Sequence, residues 1–292
     1  MALTNDNKIL DKYRSYSSIF SSTSFVRLLD YDDYSFINAK IERYDLSRIG
    51  VDINTYYDYI KYVYFQLKKE YLNEYIYKNT FINSLLIDKY GIKDTVAINE
   101  FRVGNSIADI VMFNGTSKAF EIKTELDSNK RLSSQLSDYS KIFKECYIIT
   151  HESLTEKYLK EVNHVGIIEL NETPNSVVMR EVRKAKENTT IDYKTLIRSL
   201  RTAEYKNIIE RYYGVLPKMN SFNMFEICKE MMKHIPSESL HQLFIDELKK
   251  RKSNTFIIKK FQEELRQLFF AMNLNEKSFN EINYKINKPI NL

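Results

Sequence analysis

The chain has 292 residues, 43% hydrophobic and 28% charged, which allows a sizeable core and more than one folded unit. No run of about 18 apolar residues exists, so no membrane span is expected. The start, MALTNDNKILDKYRS, lacks the basic-then-apolar order of a secretion signal. Two cysteines, Cys146 and Cys228, make neither a disulfide framework nor a metal-ligand spacing, so a reducing cytoplasm fits. A net charge of +5 permits nucleic-acid binding without demanding it.

The first ninety residues carry helical spacing. In NTYYDYIKYVYFQLKKEYLNEYIYKNTFINSLLIDKYG, apolar positions recur at Tyr64, Leu67, Tyr71 and Tyr75, then at Ile82, Leu85 and Leu86. Gly91 suits a helix C-terminus. The period then changes. TVAINEFRV, SIADIVMF and SKAFEIKTE are β-prone, and they are separated by Gly104-Asn105 and Asn114-Gly115. Two-residue turns of this kind predict a three-stranded antiparallel meander over residues 95–124. RLSSQLSDYSKIFKE reads as a helix with Leu132, Leu136, Tyr139 and Phe143 on one face. CYIIT is a short buried strand. SLTEKYLKEVN follows as a helix. HVGIIEL and SVVMREV read as two more strands with a turn near Pro174-Asn175. Beyond Asp192 helical patterns return, clearest in YKTLIRSLRTAEYKNIIERYYG and NTFIIKKFQEELRQLFFAMN. The expected organisation is a helical region over 1–69, a central α/β (α+β) core over 70–190 and a helical region over 191–292.

Three charges interrupt the meander. Strand alternation puts Ile107, Asp109 and Val111 on one face, and Ala119, Glu121 and Lys123 on one face of the next strand. Asp109 lies beside Glu121 if the register is level. Adjacent carboxylates resist joint ionisation unless a cation sits between them. Oxygen donors without nearby His or Cys suit Mg²⁺ or Mn²⁺. Such an ion polarises a phosphate and acidifies a bound water, and a neighbouring Lys adds positive charge for the developing phosphorane.

Asp109 followed twelve residues on by Glu121-Ile122-Lys123 resembles the PD-(D/E)XK nuclease superfamily, although Ala108 stands where the name has Pro. QLSDY, with Gln135 and Tyr139 one helical turn apart, resembles the Q-x-x-x-Y motif of its RecB-like members. The stretch EFRVGNSIADIVMFNG…AFEIKTELDS…RLSSQLSDY also resembles an uncharacterised bacterial family within that superfamily. The resemblance implies a restriction-endonuclease-like αβββαβ core with a mixed sheet. It implies a metal held by Asp109, Glu121 and the Ile122 carbonyl, with Glu74 (and Glu70 behind it) the candidate acidic ligand from the preceding helix. Lys123 would handle water. Gln135 and Tyr139 would support the site or the substrate.

Other residues have plainer readings. One-sided sheets routinely carry Asp, Glu and Lys on a wet face. Glu100 could reach the site from the first strand but reads more simply as a solvated or hairpin-paired residue, Asn105 reads as a turn residue and Asp127 as a cap or turn. Glu125 follows Lys123 without a motif. Arg131 and the run Lys249 to Lys252 read as solvated charges, and His151 and His164 as lone histidines. The leading expectation is a Mg²⁺- or Mn²⁺-dependent DNA nuclease, in phage defence, mobile-element biology or DNA repair, working as a homodimer or with a partner protein. The alternatives are a nuclease-fold module that binds nucleic acid or protein without cutting, and a helical interaction protein.

Overall fold

The computed structural model describes residues 5–173 and 176–292. The chain forms two compact units, Met1–Asp88 with Phe256–Leu292, and Lys89–Thr255.

The first unit is helical. It begins with α1 (Asn5–Ser17), α2 (Ser22–Tyr31), α3 (Ser35–Lys40), α4 (Tyr56–Glu70) and α5 (Glu74–Thr80). A capping box between Thr55 and Asp58 starts α4. Its buried stripe is Tyr59, Ile60, Val63, Tyr64 and Leu67. The long helix expected through residues 54–91 is broken at Tyr71. Asn73 then restarts it by accepting the Ile76 N–H at 3.1 Å.

The second unit is built on a six-stranded mixed sheet. In chain order it contains β1 (Val96–Val103), β2 (Ser106–Phe113), β3 (Ser117–Lys123), α6 (Leu132–Tyr139), β4 (Glu145–His151), α7 (Glu152–Glu161), β5 (Gly166–Thr173) and β6 (Ser176–Arg183). Four helices follow: α8 (Tyr193–Ser199), α9 (Thr202–Tyr213), α10 (Met224–Lys233) and α11 (Ser237–Leu248). Strand order equals chain order. The first three strands form the expected antiparallel meander, β3, β4 and β5 run parallel, and β6 returns antiparallel. This is the α/β class expected, a mixed sheet flanked by helices. The turn read near Pro174-Asn175 lies outside the described residues.

The units do not divide at residues 69 and 190. Leu196, Ile197, Ile208, Cys228 and Phe244, from the helices after β6, share one buried cluster with Phe101, Phe113 and Phe143. An amphipathic helix settles where its apolar stripe finds a partner, and here the partner is the sheet. The last segment returns to the first unit with α12 (Arg266–Ala271) and α13 (Glu276–Ile286). The single helix read over 254–273 is instead two 3₁₀ segments and the short α12.

One irregularity shapes the site. Asn99 pairs with Ile110 and Phe101 with Ala108, which leaves Glu100 facing Asp109. Glu100 has φ 54°, the left-handed region that a non-glycine strand residue rarely enters. The facing alternation breaks there. Ala108 and Val111 both enter the core cluster, while Ile107 is 45% exposed. The expected shared face of Ile107, Asp109 and Val111 is therefore corrected: a left-handed residue across the ladder rotates the hairpin tip.

His241 of α11 is fully buried. Burial, then the Lys144 charge, pushes its pKa below the ordinary histidine value. A depressed folded pKa stabilises the neutral ring above the unfolded value near 6.5, and that stability is lost as pH falls. Thermal unfolding followed from pH 8 to pH 5 should show a falling melting temperature below about 6.5. His241→Leu should flatten that part of the profile.

Candidate active site

The charged residues of the meander meet at the carboxyl end of β3. Register Ile110↔Phe120 is the last pair between β2 and β3, and one step on it brings Asp109 level with Glu121. The ladder opens there, and an Asp109 carboxylate oxygen accepts the Ile122 N–H at 2.8 Å. A strand residue's N–H and C=O point to the same neighbour. The Ile122 carbonyl thus lies on the Asp109 edge of β3, beyond the last ladder pair.

Glu121 is 2% exposed. The Lys123 ammonium donates to its Oε1 at 2.8 Å. The Tyr139 hydroxyl lies 2.7 Å from its Oε2 and 2.7 Å from the Ile107 carbonyl. One hydroxyl proton cannot serve both acceptors fully. Burial, then the Asp109 charge, pushes the Glu121 carboxyl above the usual carboxylate range, and Lys123 and Tyr139 oppose the shift. Burial, then the Glu121 charge, likewise pushes the Tyr139 phenol far up, so it remains a donor.

The α6 helix is fixed against the first hairpin. Gly104 turns that hairpin at φ 59°, and a Cβ there would press on the Asp138 carboxylate at 3.3 Å. Asp138 accepts from the Ser106 hydroxyl at 2.8 Å and from Lys141 at 2.7 Å. This docking sets Tyr139 over Glu121. Gln135 sits one turn earlier on α6, and its buried Oε1 has no hydrogen-bond partner among the described residues.

The donor set is all oxygen and fits a hard divalent cation. Asp109, Glu121 and the Ile122 carbonyl are the residues that would hold it. Glu74 is not among the residues the second unit brings together. It sits in the first turn of α5 in the first unit, 57% exposed and 2.5 Å from Lys78. Glu70 pairs with Lys69. Among the described residues, no cluster of three or more His, Cys, Asp or Glu side chains is placed to hold a metal.

The rim has its own connections. The backbone N–H and hydroxyl of Thr124 both donate to Asp127, the turn expected there, which fixes the chain leaving Lys123. The Thr150 hydroxyl donates to the Lys123 carbonyl at 2.8 Å. His151, set aside in the sequence, caps α7 by accepting the Ser153 N–H, and the Ser153 hydroxyl donates to Glu125 at 2.6 Å. Glu169 was missed. It is a buried carboxylate inside HVGIIEL, and the signal was the same as for Asp109: a charge interrupting an apolar run.

These residues define a mixed-sheet protein with a buried acid-acid-lysine group at a strand end. Residues 67–269 match the family model of bacteriophage P4 protein cII, and the chain belongs to that family. The chain is 30% identical over 130 residues to Protein cII of Enterobacteria phage P4. That match covers 44% of this chain and spans about half of the phage protein (49%). The solved SPO1766 protein of unknown function from Silicibacter pomeroyi is similar over 49% of this chain and 93% of its own, with 13% identity and a TM-score of 0.32. A likeness at that score carries no argument. No helix of the described residues is long and apolar enough to cross a membrane.

Proposed function

We propose that the chain is a Mg²⁺- or Mn²⁺-dependent nuclease that hydrolyses phosphodiester bonds, most simply in DNA, with a PD-(D/E)XK-type site. The single observation that carries this reading is the convergence of Asp109, Glu121, Lys123 and Tyr139 through bonds of 2.7–2.8 Å at the open end of the β2–β3 ladder. A bound cation would supply Lewis acidity toward the phosphate and a more acidic water. Asp109 and Glu121 hold the negative charge that attracts it. Lys123 places an ammonium where charge develops on the phosphoryl oxygens and orients the attacking water. Tyr139 fixes the Glu121 carboxylate, and Gln135, one helical turn before it, is the other residue of the Q-x-x-x-Y pattern.

The membership of a phage P4 family supports a phage or mobile-element setting. A homodimer or a partner protein, and a cytoplasmic location, belong to the same proposal. A second reading, a nuclease-fold module that binds without cutting, is favoured by one observation: the Lys123 ammonium already neutralises Glu121, and only two carboxylates meet there. Incubating the protein with plasmid, linear and single-stranded DNA in Mg²⁺, Mn²⁺ or EDTA separates the two. Metal-dependent cutting supports the enzyme. DNA retention without cutting under any condition supports the binding module.

A further inference from the structure

The sheet face that carries Lys123 continues across three strands. Lys123 is paired with Thr150, Thr150 with Glu169, and Glu169 with Arg180. Residues level in a sheet share a face, so this polar row runs from the site to β6. Glu169 is 6% exposed at its side chain, among Ile167, Ile168 and Leu170. Burying a carboxylate costs several kcal/mol unless it is paired, and an apolar residue would pack there at no such cost. Arg180 supplies the pairing: its Nε and Nη2 donate to Glu169 Oε1 at 2.9 and 2.5 Å. Yet the Arg180 side chain is 71% exposed. The guanidinium is held through Nε and Nη2 while most of the side chain stays exposed, which leaves it less rotational freedom than an ordinary surface arginine. Val178 and Val182, two positions either side of it on β6, are 41% and 37% exposed, so no helix covers this strip.

We propose that Arg180, positioned by Glu169, is a second anchor for a nucleic-acid phosphate, lying across the sheet from the cutting site. Three strand spacings separate it from Lys123, roughly 14 Å. That is the reach of a few nucleotides along one strand, so the anchor fixes the backbone at a distance from the scissile bond. The proposal rests on the reading of the site as one that handles phosphodiesters. It adds the direction in which the strand lies, along the row from Lys123 to Arg180.

The test is binding of short fluorescein-labelled DNA, single-stranded and duplex, to the full chain in EDTA over a series of salt concentrations. Arg180→Gln should weaken binding about three- to tenfold and lower the slope of log affinity against log salt by about one ion. Glu169→Gln, which keeps the positive charge but frees it, should lose less affinity and keep the slope. The double variant, which leaves no unpaired buried carboxylate, should repeat the Arg180→Gln result with the wild-type melting temperature. Lys160→Gln, removing an exposed charge on α7, should leave affinity within about twofold. Unchanged affinity and slope in Arg180→Gln would overturn the anchor while wild-type cleavage still upheld the nuclease. The expected slope change without any cleavage by the wild type would uphold the anchor and remove the nuclease reading. A wild type that binds no DNA in EDTA would overturn the anchor, while metal-dependent cleavage alone decides the nuclease.

Discussion

Lys123→Ala should lower metal-dependent DNA cleavage by at least about 10²- to 10³-fold, the effect of removing a charge-stabilising or water-handling group. The side chain is 11% exposed, and its ammonium touches Glu121 at 2.8 Å. It therefore affects the site in two ways: it supplies a fixed positive charge, and it helps keep the Glu121 carboxyl ionised against burial and Asp109. Its loss should raise the Glu121 pKa further and make metal binding more sensitive to acid. Lys123→Arg keeps the charge in a larger, planar group and should recover little activity, because the 11%-exposed side chain sits against Glu121 with little room for a guanidinium. Initial rates for the three proteins, measured well below their melting temperatures, decide the matter. Lys123→Ala activity within about threefold of wild type would mean that Lys123 is only a counter-charge for Glu121.

Gly166→Val should destabilise the second unit by about 3 kcal/mol or more. A Cβ at residue 166 would clash with Cδ1 and Cε1 of the Tyr147 ring and lie 2.8 Å from the Ala185 nitrogen. Tyr147 cannot easily yield. Its ring stacks on Phe120 at 5.4 Å, and its hydroxyl donates to Glu145 at 2.8 Å. Gly166 opens β5 by pairing with Tyr147, so the clash pushes β5 off β4. Glu169, and with it the held Arg180, would lose its place. Urea unfolding followed by circular dichroism should show a much lower midpoint for Gly166→Val than for the wild type. Equal midpoints would mean that β5 does not dock as described.

The meander was the most legible part of the chain. Gly104-Asn105 and Asn114-Gly115 are turn dipeptides whose physics is local. The second loop takes three residues, pairing Phe113 with Ser117, and that register, which the Asn-Gly dipeptide alone does not give, brings Asp109 level with Glu121. Gln135 and Tyr139 were singled out by the resemblance to a Q-x-x-x-Y motif, with helical spacing placing them one turn apart. The rotation at Glu100 was not legible, because nothing in NEFRV marks a left-handed residue; the sheet and core impose it. Glu74 lies in α5 of the first unit, not in the sheet unit that carries Asp109 and Glu121. A helix pattern gives a face but not a partner, and α5 packs with the first unit. The helices after β6 show the same limit, since their stripes predicted burial without saying that the sheet would receive them. Glu169 was legible and overlooked. A lone carboxylate between Ile168 and Leu170 is the kind of interruption that singled out Asp109.

The most direct test is Mn²⁺ binding to the wild-type chain and to Asp109→Ala, read from the paramagnetic resonance of free Mn²⁺. The wild type should bind at least one ion per chain and gain melting temperature with it, as a ligand specific to the folded state must produce. Affinity should fall as pH is lowered through the raised Glu121 range, because protons compete for the same carboxylate. Asp109→Ala should lose the ion at every pH. A wild type that leaves all Mn²⁺ free at millimolar concentration, with an unchanged melting temperature, would contradict a metal site at Asp109 and Glu121.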